Sequence, residues 1–258
     1  MDSIFKHTEN NGEAIITGLQ RALTETSIFI PETINGIPVV EIGPEAFRST
    51  SITDIKIGEN IKKIGEKAFY MCEKLQSVTW HCQCDVIPVD CFSGCSNLTQ
   101  FDFSNIKRIE KRAFSESGLQ KVCLPQNIEC ISGWTFSKCK ELRSVEWNCK
   151  CDVIPVFCFL RCSNLTQFDF SNIKRIGAHA FEDSGLTSVR LSKETAVDQS
   201  GFACCNDLEK IEWLSGRSIE GDIFEECQNI KEIIISDNVM GIAVDAFASS
   251  PNAEISFI

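Results

Sequence analysis

Fifteen cysteines and three histidines, His7, His81 and His179, are the residues of this 258-residue chain best suited to chemistry. Thiolates and imidazoles bind zinc, and thiols also serve as nucleophiles or disulfide partners. The densest grouping is His81-Cys82-Gln83-Cys84, echoed 67 residues later by Asn148-Cys149-Lys150-Cys151. A single residue between the cysteines is not the usual two-to-four-residue zinc spacing, and a structural site needs convergent ligands. No nucleophile elbow, zincin helix, phosphate loop or Gly-x-Gly-x-x-Gly surrounds the histidines. The residues therefore predict no catalytic group, no metal and no cofactor.

Most of the cysteines are explained by where they recur. An Ile-x-x-x-Ala-Phe block starts at Ile42, Ile64, Ile87, Ile109, Ile131, Ile154, Ile176, Val197, Ile219 and Ile242, at steps of 21 to 23 residues. Ten of the 18 phenylalanines fall in its last column, from Phe47 to Phe247. Cys72, Cys95, Cys139, Cys162, Cys205 and Cys227 stand three residues after that Phe, where other units have Thr50, Ser117, Ser184 or Ser250. Cys91 and Cys158 replace the Ala before it, and Cys84 and Cys151 replace Ile61 and Ile128. All ten read as small buried core residues. Stretches from Val78 and Val145 agree at 26 of 32 positions, so three units were duplicated together and the Cys-x-Cys pairs with them. Three strand steps of about 4.8 Å would keep those two pairs roughly 14 Å apart, too far to share a metal. With an odd cysteine total and no secretory signal, reduced thiols are expected, although neighbours such as Cys72 and Cys95 are close enough for a bridge.

Positioning falls to the unit itself. About six residues after each Phe comes Leu-x-x-Val-x-Trp, as at Leu75–Trp80, Leu98–Phe103 and Leu208–Trp213, with strand spacing and β-branched or aromatic residues. The block before it, such as GEKAFYMCEK, has apolar residues three apart among good helix formers and predicts a helical turn. A unit of this size cannot bury its own apolar face, whereas stacked units pile Ile, Phe and Leu into continuous ladders. The expected fold is an α/β repeat: a right-handed curved solenoid with a parallel β-sheet on its concave face and short helical turns and loops on its convex face. Residues 1–41 break the period and are expected to form an N-terminal cap with β-strands. Residues 42–258 hold the ten repeats of about 22 residues, the last one partial.

The unit Ile64-Gly-Glu-Lys-Ala-Phe-Tyr-Met-Cys-Glu-Lys-Leu75, the run Phe92-Ser-Gly-Cys-Ser-Asn-Leu98 and the entry segment IPETINGIPVVEIGPEAF carry a likeness. They resemble the BspA-type leucine-rich repeats of bacterial and protozoan surface proteins, over roughly residues 28–258. The resemblance implies a leucine-rich-repeat fold, no catalytic position in the repeats, and a surface-antigen or adhesin-like role in binding host or microbial proteins. It implies cell-surface or secreted location, whereas the absence of a signal peptide or lipid anchor would suit the cytoplasm.

With 25 Lys and Arg against 36 Asp and Glu, the net charge of −11 opposes nucleic acid and anionic lipid, and no apolar run is long enough to span a membrane. A protein partner is the remaining class, bound on the extended sheet face. Strand alternation points Val78 and Trp80 inward, leaving an outward stripe of Asp54, Lys56, Thr79, His81, Gln100, Asp102 and Lys121. Glu146, Gln167, Asp169, Arg190, Lys210, Glu212 and Glu232 continue it. Its mixed charges suit protein recognition better than glycan, because Trp80, Trp147 and Trp213 are read as core and only Trp134 lies outside that column. The alternative is an intracellular acidic scaffold or inhibitor. Self-association through open ladder ends is permitted but not indicated. Asn97-Leu-Thr and Asn164-Leu-Thr match glycosylation acceptors but read as turn residues duplicated with their block.

Overall fold

The computed structural model describes residues 4–20 and 26–258, so residues 1–3 and 21–25 of the expected cap lie outside the described residues. Each repeat winds once around a common core and contributes to three faces. On the first, strands of mostly four residues stack in parallel: Ser27–Phe29, Asp54–Ile57 and Ser77–Trp80, then Lys121–Leu124 with Ser144–Trp147, then Ser188–Leu191, Lys210–Trp213, Glu232–Ile235 and Glu254–Phe257. On the second, the residue that opens the block lies in a two-residue strand from Lys63–Ile64 to Ala196–Val197, as in Val86–Ile87, Arg108–Ile109 and Cys130–Ile131, while Ile219 and Ile242 meet in a single parallel bridge. The third is built of turns. At the N-terminal end, β1 (Phe5–Asn10) and β2 (Glu13–Leu19) form an antiparallel hairpin, and β2 runs parallel to the segment Ile37–Ile42 that enters the first repeat.

The column phenylalanines form one continuous stack through the core. Neighbouring rings from Phe47 to Phe247 have centroids 5.2 to 6.0 Å apart and planes within 25° of parallel. Nine of the ten are fully buried, and Phe247, which stacks on Phe224 alone, is half-buried. The repeat spacing and the coil rise are thus locked together by ring thickness.

The expected helical turns are not there, because the described residues contain no helix. In each of the first eight blocks two residues, four apart, sit at positive φ: Lys67 and Met71 at 56° and 57°, Arg112 and Glu116 at 57° and 60°, Phe157 and Arg161 at 57° and 58°. A left-handed residue every four positions prevents i→i+4 bonding. Alternate amides go elsewhere: Lys67, Phe69 and Met71 N–H donate to the carbonyls of Val89, Cys91 and Ser93 in the next coil, while Tyr70 and Cys72 N–H close single turns. Three-residue apolar spacing is therefore satisfied by paired turns, and the backbone bonds run between coils instead of within a helix.

The long-strand sheet is also interrupted, contrary to the strand expected over Leu98–Phe103. Phe101-Asp102-Phe103 and its duplicate Phe168-Asp169-Phe170 are not strands. Phe103 is buried, half-buried Phe101 lies 5.0 Å from it, and both pack against Phe114, so two aromatics two residues apart crowd the same side. Asp102 Oδ1 and Asp169 Oδ1 accept the N–H of Ser104 and Ser171 at 2.9 Å, turning the backbone away from the ladder. The loop that follows the next Phe is one residue shorter and passes through Gly118 or Gly185, where a Cβ would lie 2.1 Å from the carbonyl oxygen of Ser96 or Ser163. Only glycine allows that approach.

Candidate binding face

Strand alternation on the long-strand face buries Ile55 and Ile57 and turns Asp54 and Lys56 outward, and register carries this into rows. Asp54 lies opposite Ser77, Lys56 opposite Thr79, Cys123 opposite Glu146, Arg190 opposite Glu212, and Lys210 opposite Glu232. Nine members of the predicted stripe, Asp54, Lys56, Thr79, Lys121, Glu146, Arg190, Lys210, Glu212 and Glu232, sit on these strands in three segments, whereas Gln100, Asp102, Gln167 and Asp169 lie in the two strand interruptions and His81 just past the end of Ser77–Trp80. Asp54, Thr79, Lys210 and Glu212 are half-buried; the other members are exposed.

Most of the charges in the stripe are already answered by a neighbour. Ser77 and Thr53 hydroxyls donate to the two oxygens of Asp54 at 2.7 Å and hold its carboxyl below the usual range. Lys121 pairs with Glu146, lowering the carboxyl and raising the amine. Arg190 pairs with Glu212 at 3.0 Å and Lys210 with Glu232 at 2.9 Å, each one coil away. Asp102 and Asp169 hold their own turns, and Lys56 sits 5.8 Å from the ring centroid of Phe29. Thr79, His81, Gln100 and Gln167 carry no side-chain hydrogen bond or ion pair among the described residues. Exposed pairs of this kind add little stability but fix which coil faces which.

The cysteines fall into place as structure. None of the fifteen is in a disulfide. Cys72, Cys95, Cys139, Cys162, Cys205 and Cys227 donate S–H to the carbonyls of Phe47, Phe69, Phe114, Phe136, Phe181 and Phe202 at 2.9 to 3.2 Å. Thr50, Ser117 and Ser184 bridge to the next coil's thiol at 3.3 to 3.4 Å. The column therefore requires a small hydrogen-bonding residue as well as a small one. Burial pushes the Cys139 thiol up to about 11 and raises Cys91, Cys95, Cys158 and Cys162 strongly. Of the ten assigned to the core, Cys151 departs from expectation and is half-buried.

The Cys-x-Cys loops also have a structural origin. Trp80 and Trp147 indole N–H groups donate to the Cys84 and Cys151 carbonyls at 2.9 and 2.7 Å, and Trp213 does the same to Arg217 at 3.1 Å. In that third loop Ser215 stands where Cys82 and Cys149 stand, and its hydroxyl accepts the Arg217 N–H. The loop thus recurs without a thiol. Among the described residues no three His, Cys, Asp or Glu side chains converge to hold a metal, and no helix is long and apolar enough to cross a membrane. Asn97 and Asn164 donate their amides to the Glu73 and Lys140 carbonyls at 2.7 Å. Asn229, outside any glycosylation motif, makes the equivalent bond to Asn206, so this position carries a coil-to-coil contact.

The turn face also carries a row of small hydroxyl residues. Ser93, Ser115 and Ser137 recur directly after the column Phe and form a nearly buried hydroxyl floor beneath taller neighbours. Beside it Trp134, Phe157 and His179 stack in sequence, with centroids 4.0 and 4.7 Å apart. The residue after each Phe carries the signal, since it shrinks to Ser in three successive units.

Comparison with known proteins agrees with this architecture. A family profile described as BspA type leucine rich repeat region matches residues 24–143, 91–209 and 195–258. A leucine-rich repeat protein from Bacteroides ovatus superposes with a TM-score of 0.73 at 22% identity, covering 98% of this chain and 80% of its own. A leucine rich cell surface protein from Faecalibacterium prausnitzii gives 0.55 at 20% identity, over 100% of this chain and 94% of its own. The T. pallidum leucine rich repeat protein gives 0.50 at 20% identity, over 84% of each chain. No curated protein sequence matches. With matched segments running from residue 24 to residue 258 and the ladders described above, this chain belongs to the BspA-type leucine-rich repeat family.

Proposed function

We propose that the chain is a non-catalytic protein-binding module of surface-antigen or adhesin-like type, engaging its partner through the long-strand face. The observation that carries this reading is the row structure of that face. Lys121, Arg190 and Lys210 are paired with carboxylates one coil away, while Thr79, His81, Gln100 and Gln167 make no side-chain hydrogen bond or ion pair among the described residues. Fixed charge rows set register and reject wrong partners, and the uncommitted groups supply contacts. Surface location is supported by the name of the F. prausnitzii relative. Residues 1–41 serve as the cap of the first coil, the hairpin β1–β2 meeting the first repeat along one edge.

A second reading, an intracellular scaffold or inhibitor, is favoured by one observation: six buried thiols act as S–H donors, which a reducing compartment preserves. Membrane-impermeant labelling of intact source cells, with a cytosolic protein as control, separates the two. Labelling without lysis is the expected result, and labelling only after lysis would sink the surface reading. Within either location, Thr79→Arg/Gln100→Arg/Gln167→Arg should abolish partner capture without shifting the melting temperature. Unchanged capture would remove this face from the proposal.

A further inference from the structure

The turn face carries a groove whose charge runs against the rest of the molecule. The whole chain has a net charge of −11, yet this groove of about 430 Å³ is lined by Arg48, Lys67, Lys111, Arg112 and Lys138 against only Asp90 and Glu116. The carboxylates are spoken for: Arg112 grips nearly buried Asp90 through two bonds of 2.8 and 3.2 Å, and Lys138 holds Glu116 at 2.8 Å. Arg48 is engaged by Glu45 at 3.0 Å and lies 5.3 Å from the ring centroid of Tyr70. Lys67 and Lys111 are left with no ion pair among the described residues. Two uncompensated cations therefore flank a floor of serine hydroxyls, two coils apart, or about 10 Å at strand spacing.

The composition of the walls indicates the kind of ligand. Tyr70, Trp134 and the arginines are the residue types that dominate protein interfaces, each pairing apolar area with a polar tip. The turn-face amides are already used: Arg112, Phe114 and Glu116 N–H donate to Gly133, Thr135 and Ser137 in the next coil. A ligand here cannot be added as a strand and must be read by side chains. We propose that this groove is a second binding surface, separate from the long-strand face, and that it takes an extended acidic peptide segment of a protein partner. Two carboxylates three residues apart fall on the same side of a polyproline-II segment, at roughly 3.1 Å per residue, and would meet Lys67 and Lys111 together. Tyr70 and Ser93 would contact the chain between them, and Trp134, one coil beyond Lys111, the residues that follow.

The probe is a fluorescein-labelled peptide of Gly and Ser with Glu at every third position, followed by anisotropy against the intact protein. A matched Gln peptide and a labelled heparin oligosaccharide serve as controls. The acidic peptide should bind, with affinity falling steeply as salt rises, and the Gln peptide should bind at least about tenfold more weakly. Lys67→Glu/Lys111→Glu should weaken the acidic peptide by about tenfold or more, since like charges then face each other. Lys150→Glu/Lys193→Glu, with the same net charge change outside the groove, should not. Equal binding by both double variants, equal binding of the Gln peptide, or binding of the oligosaccharide alone would each overturn the proposal. Circular dichroism melting of both variants checks that loss of binding is not loss of fold.

Discussion

Phe136 and Cys162 show how a single column position works. Phe136 is fully buried between Phe114 and Phe159, so Phe136→Ala leaves a ring-sized hole between coils and should cost about 3–5 kcal/mol, read by urea unfolding. Cys162 donates its S–H to the Phe136 carbonyl at 3.1 Å. Cys162→Ser keeps the donor and should be nearly neutral, as Ser117 and Ser184 already fill this column, whereas Cys162→Ala should lose about 1 kcal/mol. The buried thiols also set an alkaline limit. A thiol raised on folding stabilises the native state in full below its unfolded value, and that stability is lost as pH climbs toward the folded one. For Cys139 the folded value is about 11, so stability should decline from roughly pH 8.5 to 11 at about 1.4 kcal/mol per pH unit for this group. Denaturant midpoints across that range test it, and a flat profile would contradict the burial of these thiols. The size requirement of the column was legible from Thr50, Ser117 and Ser184 beside the cysteines; its hydrogen-bonding role was not, because the acceptor carbonyl lies some 25 residues back in the chain.

At the scale of the element, the strands were readable and the turns were not. Leu-x-x-Val-x-Trp locates the long strands at Ser77–Trp80 and Lys210–Trp213, since alternation with β-branched residues has no competing reading. The same pattern misleads at Leu98–Phe103, where Asp102 captures the Ser104 amide and ends the ladder. Helix formers around Lys67 point to a helical turn, but neither propensity nor spacing reports that coil-to-coil amide bonds will claim alternate residues. Arg161, at φ 58°, separates the two structures experimentally. In a left-handed position Arg161→Gly should be neutral to within about 0.5 kcal/mol, because relief of strain offsets lost chain stiffness, while Arg161→Val should cost more than about 1 kcal/mol. In a helix the ranking would reverse, with Gly the more damaging change.

For the whole molecule, the repeat period carries the stacking order, and alternation places nine of the fourteen stripe residues on strands; Gln100, Asp102, Gln167 and Asp169 fall in the interruptions and His81 just past a strand end. What period and alternation do not reveal is which of those side chains are already committed. Lys210, Glu212 and Glu232 come together only once the register between coils is set, and Asp102 and Asp169 serve their own turns. The turn-face groove was hidden for the same reason, because its floor is assembled from one serine in each of three coils. The proposed contact of a protein partner with the long-strand face can be read residue by residue. Its most direct test is a photo-crosslinking amino acid placed singly at Gln100, Gln167, Glu129 or Glu194, followed by irradiation on source cells or with fractionated partners. Crosslinks to one protein from Gln100 and Gln167, with none from Glu129 and Glu194 beside the short strands, are predicted. Crosslinks confined to Glu129 and Glu194, or none from Gln100 and Gln167 while the partner is bound, would contradict the account.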